Sequence, residues 1–215
     1  MRGAFSAIFL RKMAKRKSYH HGNLREVLLH AAIQFIAEVG PAGFTLREVA
    51  RRAGVSHNAP YRHFQDKEAL LGAVATEGFR ELTQAMLESV KAKTNARERL
   101  KSAGLAYVDF ALRRPEHFTV MFDAPVSRAK HSTLSEAGEQ AFGTLVNFVK
   151  ACQEEAQLPS GDPLPFALLA WSMVHGIAKL AIAGRLPFES RADILKFARF
   201  VIEESLPVGK NTVTR

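Results

Sequence analysis

Residues 45–67 read TLREVARRAGVSHNAPYRHFQDK, and their spacing decides the fold. Thr45 can cap a helix, and Glu48 stands three residues on, so each can satisfy the other's orphan backbone N–H in a capping box. Leu46, Val49 and Ala50 recur on one helical face, while Arg47, Arg51 and Arg52 point elsewhere. Gly54 follows the last periodic residue, where a left-handed backbone would end the helix at no steric cost. Ser56 can cap a second helix that carries Tyr61 and Phe64 three residues apart. Two short helices, a tight turn and a basic, aromatic surround make a helix-turn-helix, which points to DNA.

Charge is distributed to match. The chain has 215 residues and a formal net charge of +9. Residues 1–80 hold 13 Lys/Arg against 6 Asp/Glu, whereas residues 81–215 hold 17 against 15. A surplus of seven at the front and two behind places a polyanion partner at the first third. A nonspecific DNA-packaging protein would spread its charge along the chain and would lack a large apolar C-terminal half. The lone Cys152 lies in an apolar helical pattern, which rules out an internal disulfide and a Cys-rich zinc site. The longest apolar run, FALLAW, is too short to span a bilayer, and no cleavage site follows AFSAIFL. The expected location is cytoplasmic, and Met13 is an alternative start.

Helical periodicity runs through the rest, and strand signals are almost absent. Helices are expected over 23–39, 67–91, 96–114, 115–122, 132–156, 163–184 and 191–205, in addition to the two of the helix-turn-helix. The fold class is therefore all-α, with about nine helices. An N-terminal three-helix helix-turn-helix domain precedes a larger helical-bundle domain for regulation and dimerisation. The expected division is a basic extension over 1–18, the DNA-binding domain over 19–66, a connecting helix over 67–91, the second domain over 92–206 and a tail over 207–215.

The first 80 residues resemble the DNA-binding domain of the TetR family of bacterial transcription regulators. The family pattern T-x-x-x-[VI]-A-x-x-A-G-V-S appears at Thr45–Ser56, and Y-x-H-F-x-x-K at Tyr61–Lys67. AWSMVHG, which holds Trp171, His175 and Gly176, is similar to the signature of a Trp-His-Gly subgroup. The resemblance implies an operator-binding homodimer, most often a repressor, that is released by a small-molecule effector. An activator or an effector-independent regulator would share the same fold. Asn58 and Pro60 depart from the family pattern, which has Gly and an aliphatic residue there.

Base reading is expected from Arg47, His57, Asn58 and Pro60. The Asn58 amide can pair bidentately with adenine, the Arg47 fork suits guanine or phosphate, and the Pro60 ring suits a thymine methyl. By the resemblance, Thr45, Ser56, Tyr61, His63 and Lys67 contact phosphate, which sets register and supplies affinity. The basic stretch AKRKSYHHGN before the first helix could track the backbone or minor groove. His20-His21 has no matching ligand cluster, so no metal and no cofactor is expected.

In the second domain Trp171 and His175 share a helix face, and Gly176 would permit close approach of another helix. They are either a core tryptophan with a hydrogen-bonded histidine or part of a pocket. Phe110, Phe118, Met121, Phe122, Phe142 and Val146 are the further candidates for lining an effector cavity. No nucleophile elbow, P-loop, dinucleotide fingerprint or zinc-protease motif occurs, which argues against an enzyme. The dimer surface is expected from helices 163–184 and 191–205, whose apolar residues exceed what one face can bury.

Overall fold

A computed structural model of the chain describes residues 24–206. The basic arm, His20-His21, Met13 and the tail over 207–215 lie outside the described residues. Eight α-helices and two 3-10 turns make up the regular structure among the described residues: α1 Leu24–Val39, α2 Leu46–Arg52, α3 Lys67–Ser89, α4 Ala96–Arg113, α5 Pro115–Asp123, α6 Ser132–Glu154, α7 Pro163–Ile182 and α8 Arg191–Ser205.

Local chemistry sets these boundaries. Gly40, at φ +75°, ends α1, and Gly54, at φ +68°, ends α2. The Asp66, Asn95, Asp162 and Ser190 side chains accept first-turn N–H groups and start α3, α4, α7 and α8. Pro115 closes α4 and opens α5, since a proline at the first position forfeits only an orphan donor.

The ninth helix is missing, and Pro60 is the reason. The residues after α2 form a turn and then a single 3-10 turn, Pro60–Arg62, instead of an α-helix beginning at Ser56. An α-helix would need the Pro60 N–H to bond the Ser56 carbonyl, and proline has none. The Ser56 carbonyl instead accepts from Ala59, at 2.9 Å and one residue shorter in span.

Leu28, Ala32, Val49, Phe64 and Leu70 are buried where α1, α2 and the start of α3 meet. Phe35 stacks on Phe44 with centroids 5.5 Å apart, and the Arg52 guanidinium lies 3.6 Å over Phe35 while pairing with Glu38. Helix α3 then continues without a break into the bundle and packs against α4, α5 and α6. Helices α7 and α8 close the outer side against α4. As a whole α7 is long and apolar enough to cross a bilayer, although FALLAW alone is not. Here α7 is a bundle helix. It buries Ala167, Ala170, Val174, Ile177 and Ala178 and leaves Leu164, Leu168, Leu169 and Leu180 exposed.

Candidate DNA interface and effector cavity

The helix-turn-helix presents two kinds of side chain. Arg47, Ser56, His57, Asn58, Tyr61 and His63 are exposed on α2 and the segment after it. Tyr61 is 51% exposed even though Phe64, on the same short segment, is buried, so its ring is held outward by the local backbone. Arg62 is exposed beside it and is a cationic candidate absent from the sequence-based set.

Three expected contacts meet a different environment. Pro60 is fully buried, so its ring packs in the small core and cannot reach a thymine methyl. Its role is to shape the segment that carries Asn58 and Tyr61. Thr45 is committed to the cap. Its hydroxyl accepts from the Glu48 N–H at 3.3 Å and donates to the Glu48 carboxylate at 2.9 Å, and its own N–H donates to the same carboxylate at 2.7 Å. These bonds hold the Glu48 carboxyl below the usual carboxylate range. Lys67 turns back on the chain. Its Nζ donates to the carbonyls of Ala42 at 2.9 Å and Phe44 at 2.7 Å and lies 4.4 Å from the Phe44 ring centroid. Burial lowers its pKa. The Lys67 ammonium therefore closes the α1–α2 loop onto α3, with one of its three donors left for a phosphate.

The second domain contains a cavity of about 330 Å3 between α3, α4, α6 and α7. Of the expected lining residues, Phe122, Phe142 and Trp171 face it. Phe110 and Met121 are buried away from it, with the Met121 Sδ packed against Gly78, where a Cβ would come within 2.5 Å. Val146 packs against the core and does not line the cavity. Phe79, Leu82, Met86, Tyr107 and Leu145 complete an almost wholly apolar wall. The Arg128 guanidinium stands at its rim, 5.2 Å from the Phe79 ring centroid. Gly138 faces it, and a methyl there would sit in ordinary van der Waals contact, 3.4 Å from Nη1.

His175 lies one layer behind the wall and is reached through Tyr107, a residue the sequence pattern does not single out. The Trp171 indole N–H donates to the Tyr107 hydroxyl at 3.2 Å, and that hydroxyl lies 2.8 Å from His175 Nδ1. An indole N–H can only donate, so the phenol oxygen accepts from Trp171, and the direction of its bond with His175 Nδ1 follows the histidine tautomer. Burial drives both groups the same way, raising the Tyr107 pKa and lowering that of His175. Phe118 packs between the rings of Tyr107, Phe122 and His175. Trp171 is thus both cavity wall and core donor, which joins the two sequence-based alternatives.

Cys152 is buried, and desolvation raises its thiol to about 11, which leaves it a packing residue.

Two family profiles match the chain. Residues 28–74 fit that of bacterial regulatory proteins of the tetR family, and residues 100–204 fit that of the tetracyclin repressor-like C-terminal domain. A solved structure from Rhodococcus sp. RHA1, of a protein with unknown function, is 37% identical with a TM-score of 0.76, covering 88% of this chain and 98% of that one. Among curated proteins, a transcriptional repressor of Mycobacterium tuberculosis is 45% identical over 47 residues, 22% of this chain and 25% of that protein. The class C tetracycline repressor of Escherichia coli is 43% identical over 51 residues, 24% of this chain and 23% of that protein. The match spans about a quarter of the length of these curated relatives. The chain belongs to the TetR family of bacterial regulatory proteins.

Proposed function

We propose that this chain is a cytoplasmic, homodimeric, sequence-specific transcription regulator, a repressor that leaves its operator when a small molecule fills the α3–α4–α6–α7 cavity. The observation that carries the reading is the exposed set Arg47, His57, Asn58 and Tyr61 on a scaffold whose neighbouring residues Leu46, Val49, Pro60 and Phe64 are buried. Arg47 and Asn58 offer the fork and amide that read guanine and adenine edges, and Tyr61, Ser56 and His63 offer phosphate donors. One such unit spans only a few base pairs, so control of a single operator calls for two-fold repetition. The apolar face that α7 leaves uncovered, together with Phe200 at 61% exposure on α8, fits a second copy of the chain. Trp171, His175 and Gly176 favour placement in the Trp-His-Gly subgroup.

The cavity supports one effector class. Its wall is apolar, and Arg128 is the cationic group that lines it, with the Glu139 carboxylate at the same rim accepting from the Ser135 hydroxyl at 3.0 Å. A largely apolar molecule with one acidic end fits that arrangement. Trp171 and the Tyr107–His175 pair would sense its body, and Arg128 its charge.

Selection of bound fragments from a random duplex library tests the DNA reading. The expected result is one sequence with two-fold related halves, bound at least ~10³-fold more tightly than random DNA. Equal affinity for random DNA would overturn it in favour of packaging. Displacement of an apolar fluorescent dye from the protein by carboxylates, compared with the matching alcohols, tests the effector class. Equal displacement by acids and alcohols would remove the role given to Arg128.

A further inference from the structure

Away from the cavity and the DNA face, α3 and α5 bring Glu77, Glu81 and His117 together. One imidazole nitrogen and one oxygen from each carboxylate lie within 4.8 Å of one another. Glu77 and Glu81 are four residues apart on α3 and therefore share a face, and His117 comes from the first turn of α5. His117 is only 3% exposed, and neither of its ring nitrogens has a hydrogen-bond partner among the described residues. A buried polar ring normally finds a partner, and leaving it without one costs free energy. Gly78 allows the close packing, since a Cβ there would meet His117 Cβ at 3.2 Å.

We propose that Glu77, Glu81 and His117 form a binding site for a divalent first-row transition metal of the zinc class. An imidazole nitrogen disfavours magnesium and calcium, which take oxygen ligands, and two carboxylates with one imidazole suit zinc or manganese rather than copper(I). Zinc bonds of about 2.0–2.2 Å place neighbouring ligand atoms of a tetrahedron roughly 3.4 Å apart, so groups within 4.8 Å of one another need to close by no more than about 1.4 Å. Glu77 and Glu81 are half-buried and have the side-chain freedom to do so. Arg114 donates through Nε to Glu81 Oε2 at 3.0 Å, which orients that carboxylate and leaves Oε1 for the metal. Three protein ligands leave the fourth position to water. The site would lock α5 to α3, and α5 also packs against α1 of the DNA-binding part. Metal occupancy would therefore stiffen the junction between the two halves.

The test uses the full-length protein, stripped with a chelator and titrated with Zn2+ alone by calorimetry, and with Co2+ followed by its visible absorption. Uptake of one metal per chain is expected, with Zn2+ raising Tm. Glu77→Gln and Glu81→Gln keep side-chain size at half-buried positions. Each should weaken binding by more than about tenfold and abolish the low-coordination Co2+ spectrum. A His20→Ala/His21→Ala variant should bind as the unaltered protein does. Absence of stoichiometric Zn2+ uptake by the unaltered protein would overturn the site, as would unchanged uptake in the two carboxamide variants.

Discussion

The Glu68 carboxylate accepts the backbone N–H of Ser127 at 3.0 Å, joining the first turn of α3 to the loop that delivers Arg128 to the cavity rim. Lys130 Nζ and His131 Nε2 approach the same carboxylate at 3.5 and 3.7 Å. The Ser127 bond, ahead of the Lys130 charge, lowers the Glu68 pKa. Glu68 directly follows Lys67, which holds the α1–α2 loop. A displacement of Arg128 by an effector would thus reach the helix-turn-helix across one carboxylate. Coupling of this kind can be no larger than the effector's differential affinity for the two arrangements.

Glu68→Gln should loosen this tie without reaching the cavity wall. Faster amide exchange is expected at Ser127 and through the 124–131 segment, with exchange in α4 unchanged. An unaltered exchange rate at Ser127 would show that the loop is held by other contacts.

Lys67→Met keeps the aliphatic stem over Phe44 and removes the two carbonyl bonds. Its exposure tempers the cost, and a loss of about 1–2 kcal/mol in unfolding free energy is expected. DNA affinity should fall alike for all sequences, because the α1–α2 loop shifts under every base-reading residue. Urea unfolding and binding to operator and random duplexes measure both. A selective loss on the operator would instead make Lys67 a base reader.

Asn58 and Pro60 separate reading from shaping. Asn58→Ala should change the preferred base at one position in each half-site and cost about 1–3 kcal/mol on the preferred sequence. Pro60→Ala should permit the N–H bond to the Ser56 carbonyl and lengthen the helical segment, which moves Asn58 and Tyr61 together and lowers affinity for the preferred sequence. Circular dichroism and a selection experiment on both variants decide, and unchanged helical content with unchanged affinity in Pro60→Ala would show that the ring does not shape the segment.

Much of this was legible in the sequence because caps and breakers act locally. The capping box of Thr45 and Glu48, the glycines at 40 and 54, and the prolines at 115 and 163 place helix ends within two residues of where they fall. The recognition segment departs from the helical pattern because the missing N–H of Pro60 acts four residues earlier, at the Ser56 carbonyl. The cavity was half legible. Helical spacing marks Phe122, Phe142 and Trp171 as apolar, but it cannot show that Phe110 and Met121 face other neighbours. Tyr107 and the Glu77–Glu81–His117 cluster depend on pairings between helices distant in sequence, and no spacing rule announces them. Lys67 carries the resemblance to a phosphate contact, yet the carbonyls it also binds lie more than twenty residues upstream.

His175 gives a signed pH dependence. Its pKa in the folded protein lies below the ordinary 6.5, first through burial and then through Lys179, with Asp123 opposing. Above about 6.5 the ring is neutral in both states and contributes nothing to the slope. Below it the unfolded chain takes up a proton that the folded protein refuses, so stability falls as pH falls. His175→Gln should reduce the fall in Tm between about pH 6.5 and pH 5. An identical fall in both proteins would show that His175 is protonated as easily folded as unfolded.

Gly176 offers the sharpest test of the dimer. A Cβ built there meets nothing within 4 Å in the single chain, so the gap its hydrogen leaves is not used by any neighbouring helix. It lies on α7, one turn from exposed Leu180, with Leu168 and Leu169 further along the helix at 42% and 48% exposure. In a lone chain Gly176→Leu should be tolerated or even stabilising, because leucine is the better helix former by nearly 1 kcal/mol. If α7 packs closely on its counterpart in a second copy, the same side chain would be driven into the facing helix. Sedimentation is expected to find the unaltered protein dimeric and Gly176→Leu monomeric at micromolar concentration, with its helical content retained. Operator affinity should fall with it, since a single helix-turn-helix holds only one half-site. A Gly176→Leu protein that remains dimeric would move the interface off this face of α7.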